Sequence, residues 1–116
     1  MHELPVTESI LSIVLKHAEK HKVKRVVTIS LRVGELSDLE DEWIQRYFDY
    51  LSKGTRAEKA ELVIQRIPIT FQCDACANTF EIKREALQDL QCPECGSTEC
   101  KLVSGKGYYI KNMEVV

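Results

Sequence analysis

Cysteine is absent from the first 72 and the last 16 of the 116 residues, and the chain is sparing in other ways: five glycines, three prolines and 7% aromatic residues. Each shortage excludes something. With 16 Lys and Arg against 18 Asp and Glu, the formal charge is −2 and the pI about 5.9, so there is no general attraction to nucleic acid phosphates or to an anionic bilayer. No apolar run approaches the roughly 20 residues a bilayer span needs. The start, Met1-His2-Glu3-Leu4-Pro5, lacks the basic and then apolar order of a signal peptide, so the expected location is cytoplasmic. Low-complexity segments and internal repeats are also missing. There is no G-x-x-x-x-G-K-S/T phosphate loop, no G-x-S-x-G elbow and no H-E-x-x-H helix, and Cys100 has no base evident beside it. No enzyme is expected.

What the chain does have is five cysteines crowded between positions 73 and 100. Four form two Cys-x-x-Cys pairs, Cys73/Cys76 and Cys92/Cys95, separated by Ala77 to Gln91. Two residues between cysteines allow a tight knuckle that aims both sulfurs at one point, and two knuckles supply the four soft ligands of a structural Zn(II) site. In a reducing compartment such pairs are more often metal ligands than disulfides. The module holds no histidine, so the expected shell is sulfur only, and a closed cage has no open position for substrate or water. Cys100, the fifth, is expected outside the shell.

Four cysteines at this spacing also serve two other uses. A rubredoxin-like iron site needs the same tetrahedron. A zinc ribbon for nucleic acid needs positive charge and stacking aromatics, whereas residues 70–106 carry six acids against four bases, with Phe71 and Phe80 as the available rings.

The remainder of the chain reads as a small α+β domain. Val6, Ile10, Ile13, Val14 and Ala18 recur at helical spacing from Pro5 to His21, with Leu11 and Leu15 widening the stripe. Proline favours the first helical position, which predicts an extended Met1-His2-Glu3 ahead of the helix. Residues 23–33 alternate with period two and stop at Gly34, predicting a strand. Ser37 and Glu40 read as a capping box for a second helix bearing Trp43, Ile44, Tyr47, Phe48 and Leu51, stopped near Gly54. Residues 60–67 and 108–116 are strand-like. The expected fold is a three-stranded sheet with two helices on one face, plus an inserted Cys₄ zinc-ribbon-like domain: 1–69 with 107–116, and 70–106.

Histidine at position 2 permits a backbone chelate. The terminal amine of Met1, the amide and imidazole nitrogens of His2 and the amide of Glu3 can place four nitrogens in a plane, which suits Ni(II) or Cu(II). A solvent-exposed second-position histidine offers this chemistry in any protein, so the feature alone does not assign a function. The bulky second residue, which retains Met1, and the acidic Glu3 both favour it. His17 and His21 stand four residues apart, a spacing that can place two imidazoles over one metal. Both fall inside the apolar arc of the first helix, which predicts partly buried core histidines instead.

Taken together these segments resemble the HypA/HybF family of hydrogenase maturation nickel metallochaperones, over nearly the whole chain. The resemblance rests on Met1-His2-Glu3-Leu4, Val33-Gly34-Glu35-Leu36-Ser37, Lys53-Gly54-Thr55 and Ala60-Glu61-Leu62. It continues through Cys73-Asp74-Ala75-Cys76 and Cys92-Pro93-Glu94-Cys95-Gly96 to Tyr109-Ile110-Lys111-Asn112-Met113-Glu114-Val115. It implies a nickel-binding α/β domain (1–69 and 107–116) with Ni(II) held transiently at Met1, His2 and Glu3. The zinc-binding domain (70–106) would hold structural Zn(II) at Cys73, Cys76, Cys92 and Cys95. The implied partners are a HypB-type nickel GTPase and the [NiFe]-hydrogenase large subunit, some members also serving urease maturation. Neither nucleic acid nor membrane is among them.

Overall fold

The structure is a computed structural model that describes residues 3–116, and the chain divides into two compact units. The first takes residues up to Arg32, then Asp38–Gln65 and Tyr109–Val116. It contains helix α1 (Glu3–Lys20), strand β1 (Val26–Gly34) except its last two residues, helix α2 (Asp41–Leu51), most of β2 (Glu61–Ile67) and nearly all of the last strand, β6 (Tyr108–Val115). The sheet order is β2-β1-β6, so the strand after the cysteine module joins β1, as the strand-like pattern of residues 108–116 predicts. Apolar side chains from the helices and the central strand fill the core. Ile10, Val14 and Ala18 of α1, Ile29 and Leu31 of β1, and Ile44 and Phe48 of α2 are each 0–1% exposed. Burying each large apolar side chain contributes about 1.5–3 kcal/mol.

Three local expectations are corrected. Glu3 and Leu4 are helical, not extended. Proline in the first turn removes nothing there, since the first four N–H groups of a helix have no carbonyl within it, and the Thr7 hydroxyl donates back to the Glu3 carbonyl at 2.6 Å. The second helix begins at Asp41 with Glu40 as its N-cap and no side-chain cap bond, so Ser37 is not the capping residue. Instead the Glu40 amide donates to Glu3 Oε1 at 3.3 Å, and Asp41 and Glu42 occupy the positive end of the helix dipole. His17 and His21 are exposed, as is Ile13 at 48%. The apolar arc read from the sequence is wider than the stripe α1 buries.

The second unit takes Val33–Ser37 and Arg66–Tyr108. Its sheet has the order β4-β3-β5, with β3 (Ile69–Cys73) between β4 (Thr79–Ile82) and β5 (Cys100–Ser104). Both pairings are antiparallel: Ile69 faces Ile82 and Phe71 faces Phe80 on one side, and Cys73 faces Cys100 on the other. A 3₁₀ helix, Arg84–Asp89, follows β4. The segment 33–37 belongs here through backbone bonds: the Glu35 amide donates to Ile67 O and the Leu36 amide to Gly105 O, both at 2.9 Å.

Candidate metal centre

Two loops of nearly identical geometry build the cage. In the first, the Cys73 amide donates to Asn78 O and the Ala77 amide to Cys73 O, both at 2.9 Å. In the second, the Cys92 amide donates to Ser97 O and the Gly96 amide to Cys92 O, again at 2.9 Å. Ala77 (φ +62°) and Gly96 (φ +78°) hold the equivalent left-handed position. That turn reverses the chain directly after each second cysteine and leaves the preceding amides pointing inward. The Cys76 and Ala75 amides bond the Cys73 sulfur, and the Cys95 and Glu94 amides bond the Cys92 sulfur. Each second cysteine receives one more, Cys76 from Asn78 and Cys95 from Ser97.

The four sulfurs converge, all within 4.8 Å of one another. Cys73 and Cys95 Sγ are 3.5 Å apart and Cys76 and Cys92 Sγ 3.6 Å. A tetrahedron with metal–sulfur bonds of about 2.3 Å has edges of about 3.8 Å, so the donor set fits a zinc-sized ion with little adjustment. Cys73 and Cys92 are buried at 1% and 2%, while Cys76 and Cys95 are exposed at the rim of the cage.

This arrangement divides the thiols electrostatically. For Cys73 the Cys76 amide is the strongest influence and draws the thiol below its ordinary value, against the opposing effect of burial. Burial pushes Cys92 up, but the Cys95 and Glu94 amides together with the Cys76 and Cys95 thiols outweigh it and bring it down to about 6. Cys76 is pushed up to about 12: the Asn78 amide favours its thiolate, but burial and the neighbouring Cys92, Cys73 and Cys95 sulfurs prevail. Cys95 is likewise raised, its Ser97 amide outweighed by the Cys73 sulfur, burial and Cys92. Metal-free, the cage keeps one sulfur of each knuckle inclined to thiolate and the other to thiol. A divalent ion that displaces the remaining protons removes this repulsion.

Cys100 lies beside the cage and outside the four-sulfur cluster. It is the direct cross-strand partner of Cys73, and its thiol donates to Ser97 O at 3.8 Å. Burial raises its pKa first, and the Cys73 and Cys92 sulfurs raise it further. Phe71 and Phe80 stack on each other at 6.3 Å, Phe71 being buried at 9% exposure and Phe80 half-buried.

Of the N-terminal residues, Met1 and His2 lie outside the described residues. Glu3 opens α1, where its amide has no intrahelical acceptor, and its carboxylate holds the Glu40 amide. Sequence reasoning missed this tie between the two helix starts, since nothing in a one-dimensional pattern brings residues 37 positions apart together. The twinned knuckles had a readable signal: Cys73-Asp74-Ala75-Cys76-Ala77-Asn78 repeats as Cys92-Pro93-Glu94-Cys95-Gly96-Ser97, a small residue and then a polar one after each pair. Among the described residues, no helix is long and apolar enough to cross a membrane.

The family described as "Hydrogenase/urease nickel incorporation, metallochaperone, hypA" matches residues 1–115. The hydrogenase maturation factor HypA of Caldanaerobacter subterraneus subsp. tengcongensis is 39% identical over 116 residues, covering 99% of each chain. Hydrogenase maturation factor HybF of Salmonella typhimurium is 35% identical over 115 residues, again covering 99% of each. Among solved structures, the solution structure of the Ni metallochaperone HypA from Helicobacter pylori has the same fold, with a TM-score of 0.68 at 21% identity, covering 100% of this chain and 98% of that one. A second HypA solution structure superposes with a TM-score of 0.75 at 22% identity, covering 100% and 97%. Match length, relatives and fold agree: the chain belongs to the HypA family of nickel metallochaperones for hydrogenase and urease, proteins that carry metal and do not catalyse a reaction.

Proposed function

We propose that the protein binds Ni(II) at its N-terminus and delivers it, together with a HypB-type nickel GTPase, to the large subunit of [NiFe]-hydrogenase, while a Zn(II) ion in the Cys73, Cys76, Cys92, Cys95 cage maintains the second unit. The observation that carries this reading is the family match along residues 1–115, which reaches both the N-terminal motif and the cysteine pairs. The nickel ligands are the amine of Met1, the amide and imidazole of His2, and the amide of Glu3. The placement of Glu3 supports its part: an amide in the first helical turn has no carbonyl to give up before it deprotonates onto a metal. Four planar nitrogens suit a d⁸ ion, and Zn(II), which lacks that preference, goes to the tetrahedral sulfurs. The sulfurs fill every position of such a cage, so it holds structure while the cargo travels elsewhere. The energy for directional transfer then comes from the partner's GTP. Urease maturation is a second destination in keeping with the family description.

The test is a Ni(II) titration of the untagged, zinc-loaded protein beside the same protein with its amine blocked and beside His2→Ala. One nickel per chain is expected for the first, with loss in both others and unchanged zinc content. Equal nickel affinity in all three overturns the N-terminal assignment.

A further inference from the structure

We propose that His17 and His21 form a second metal site, an open imidazole pair for a borderline divalent cation such as Cu(II) or Ni(II), on the exposed face of α1. Both side chains are exposed, so neither is committed to the core. Their rings stand face to face with centroids 5.3 Å apart and planes inclined by 20°. From that position χ rotations of these two exposed side chains bring one nitrogen of each ring onto a shared ion, the relationship two histidines four apart have in metal-binding helices.

The backbone fixes this spacing. Although α1 ends at Lys20, the His21 amide still donates to the His17 carbonyl at 3.1 Å. The chain is then locked by a Schellman cap: Lys22 adopts φ +54°, its amide donates to Glu19 O at 3.2 Å, and the Val23 amide donates to Ala18 O at 2.9 Å. The pair therefore sits on a capped last turn, where the negative end of the helix dipole favours a bound cation. Lys20 in the same turn opposes it and keeps the affinity modest. His17 also lines a groove of about 380 Å³ with Lys111, Asn112 and Met113, residues that carry an amide and a thioether able to act as further donors beside an ammonium that opposes the ion.

Two imidazoles with water completing the shell impose no plane and no tetrahedron. Such a site follows the intrinsic order of the metals, Cu(II) above Ni(II) above Co(II), and exchanges its ion readily. It differs in both respects from a four-nitrogen backbone chelate and from a closed sulfur cage, and its existence does not depend on either.

The test uses zinc-loaded, full-length, ¹⁵N-labelled protein with its N-terminal amine blocked, so that any backbone chelate is removed. Substoichiometric copper(II) chloride is added and paramagnetic broadening is read residue by residue. Broadening centred on residues 17–21 is expected, extending to 110–113, to be lost in His17→Ala and in His21→Ala and kept in Ile13→Ala. Nickel(II) should produce the same pattern at higher concentration. Broadening that persists in both histidine variants, or that is spread evenly over the chain, overturns the proposal. Failure of the N-terminal nickel site is read separately, from the unblocked protein.

Discussion

Gly34 and Gly105 press their backbones together so closely that a Cβ on Gly34 would lie 2.1 Å from the Gly105 carbonyl oxygen. Gly105 is confined from its other side too: a Cβ there would meet Ile69 Cα at 2.8 Å, at a φ of +106°. Backbone atoms cannot swing aside as side chains do, so Gly34→Ala should destabilise the second unit by about 3 kcal/mol or more. Gly54→Ala, at φ +78° with open space around it, should cost only the about 1–2 kcal/mol of left-handed strain. Urea unfolding of the two variants provides the comparison, and equal losses would mean the segment 33–37 gives way easily.

Phe48 is fully buried, whereas Trp43, five residues earlier and so on a different face of the same helix, is 41% exposed, its ring tilted against Tyr47 and under the Arg46 guanidinium. Phe48→Ala should lower unfolding free energy by about 3–5 kcal/mol. Trp43→Ala should cost clearly less, and a similar loss at both positions in chemical denaturation would show that the helix buries a broader face.

Ala77 occupies the left-handed position that glycine holds in the other knuckle. Ala77→Gly should therefore stabilise the metal-free second unit by up to about 1 kcal/mol, since about 1–2 kcal/mol of left-handed strain is relieved against about 0.5–1 kcal/mol for the freedom glycine gains when unfolded. Thermal unfolding in the presence of chelator measures it; a lowered midpoint would mean unfolded-state entropy dominates.

Metal binding should depend steeply on pH, in a direction the cage dictates. Cys76, at about 12, and Cys95, also raised, carry protons at neutral pH, while Cys92, at about 6, does not. Loading Zn(II) should release at least about two protons per ion near pH 7, readable from calorimetry in buffers of different ionisation enthalpy, and affinity should fall as pH drops, faster below 6. For the metal-free unit the signs differ by residue. The contribution of Cys92 is complete above the ordinary thiol value of 9.0 and lost as pH falls through 6. That of Cys76 is complete below 9.0 and lost as pH rises towards 12. Stability of the metal-free unit should thus peak near pH 9, and a maximum at acid pH would contradict this division of the thiols.

Cys100→Ser should leave one zinc bound per chain, because its sulfur lies outside the converging four. Elemental analysis after dialysis checks this; loss of the metal would make Cys100 a ligand.

Much of this protein was readable in one dimension because its signals are local. The stripe Val6, Ile10, Val14, Ala18, the alternation through Ile29 and Leu31, and the doubled Cys-x-x-Cys each arise from the repeat of a single element or turn, and each appears where expected. The errors share a cause. His17, His21 and Ile13 lie in the apolar arc of a helical wheel, but a wheel does not say how much of that arc the sheet covers. Ser37 and Glu40 matched a capping pattern, while the helix began where Glu3 could reach the Glu40 amide.

Residue order sufficed to establish the α+β class, the four-sulfur donor set and the family, since helical and strand periods and ligand spacing are written within a few consecutive positions. Folding in three dimensions assigned what depends on distant neighbours: the Gly34–Gly105 contact, the unequal protonation of the four thiols, and the exposure of the histidine pair. Burial, close approach and electrostatic field are sums over atoms that come together through space, and no stretch of chain contains them alone.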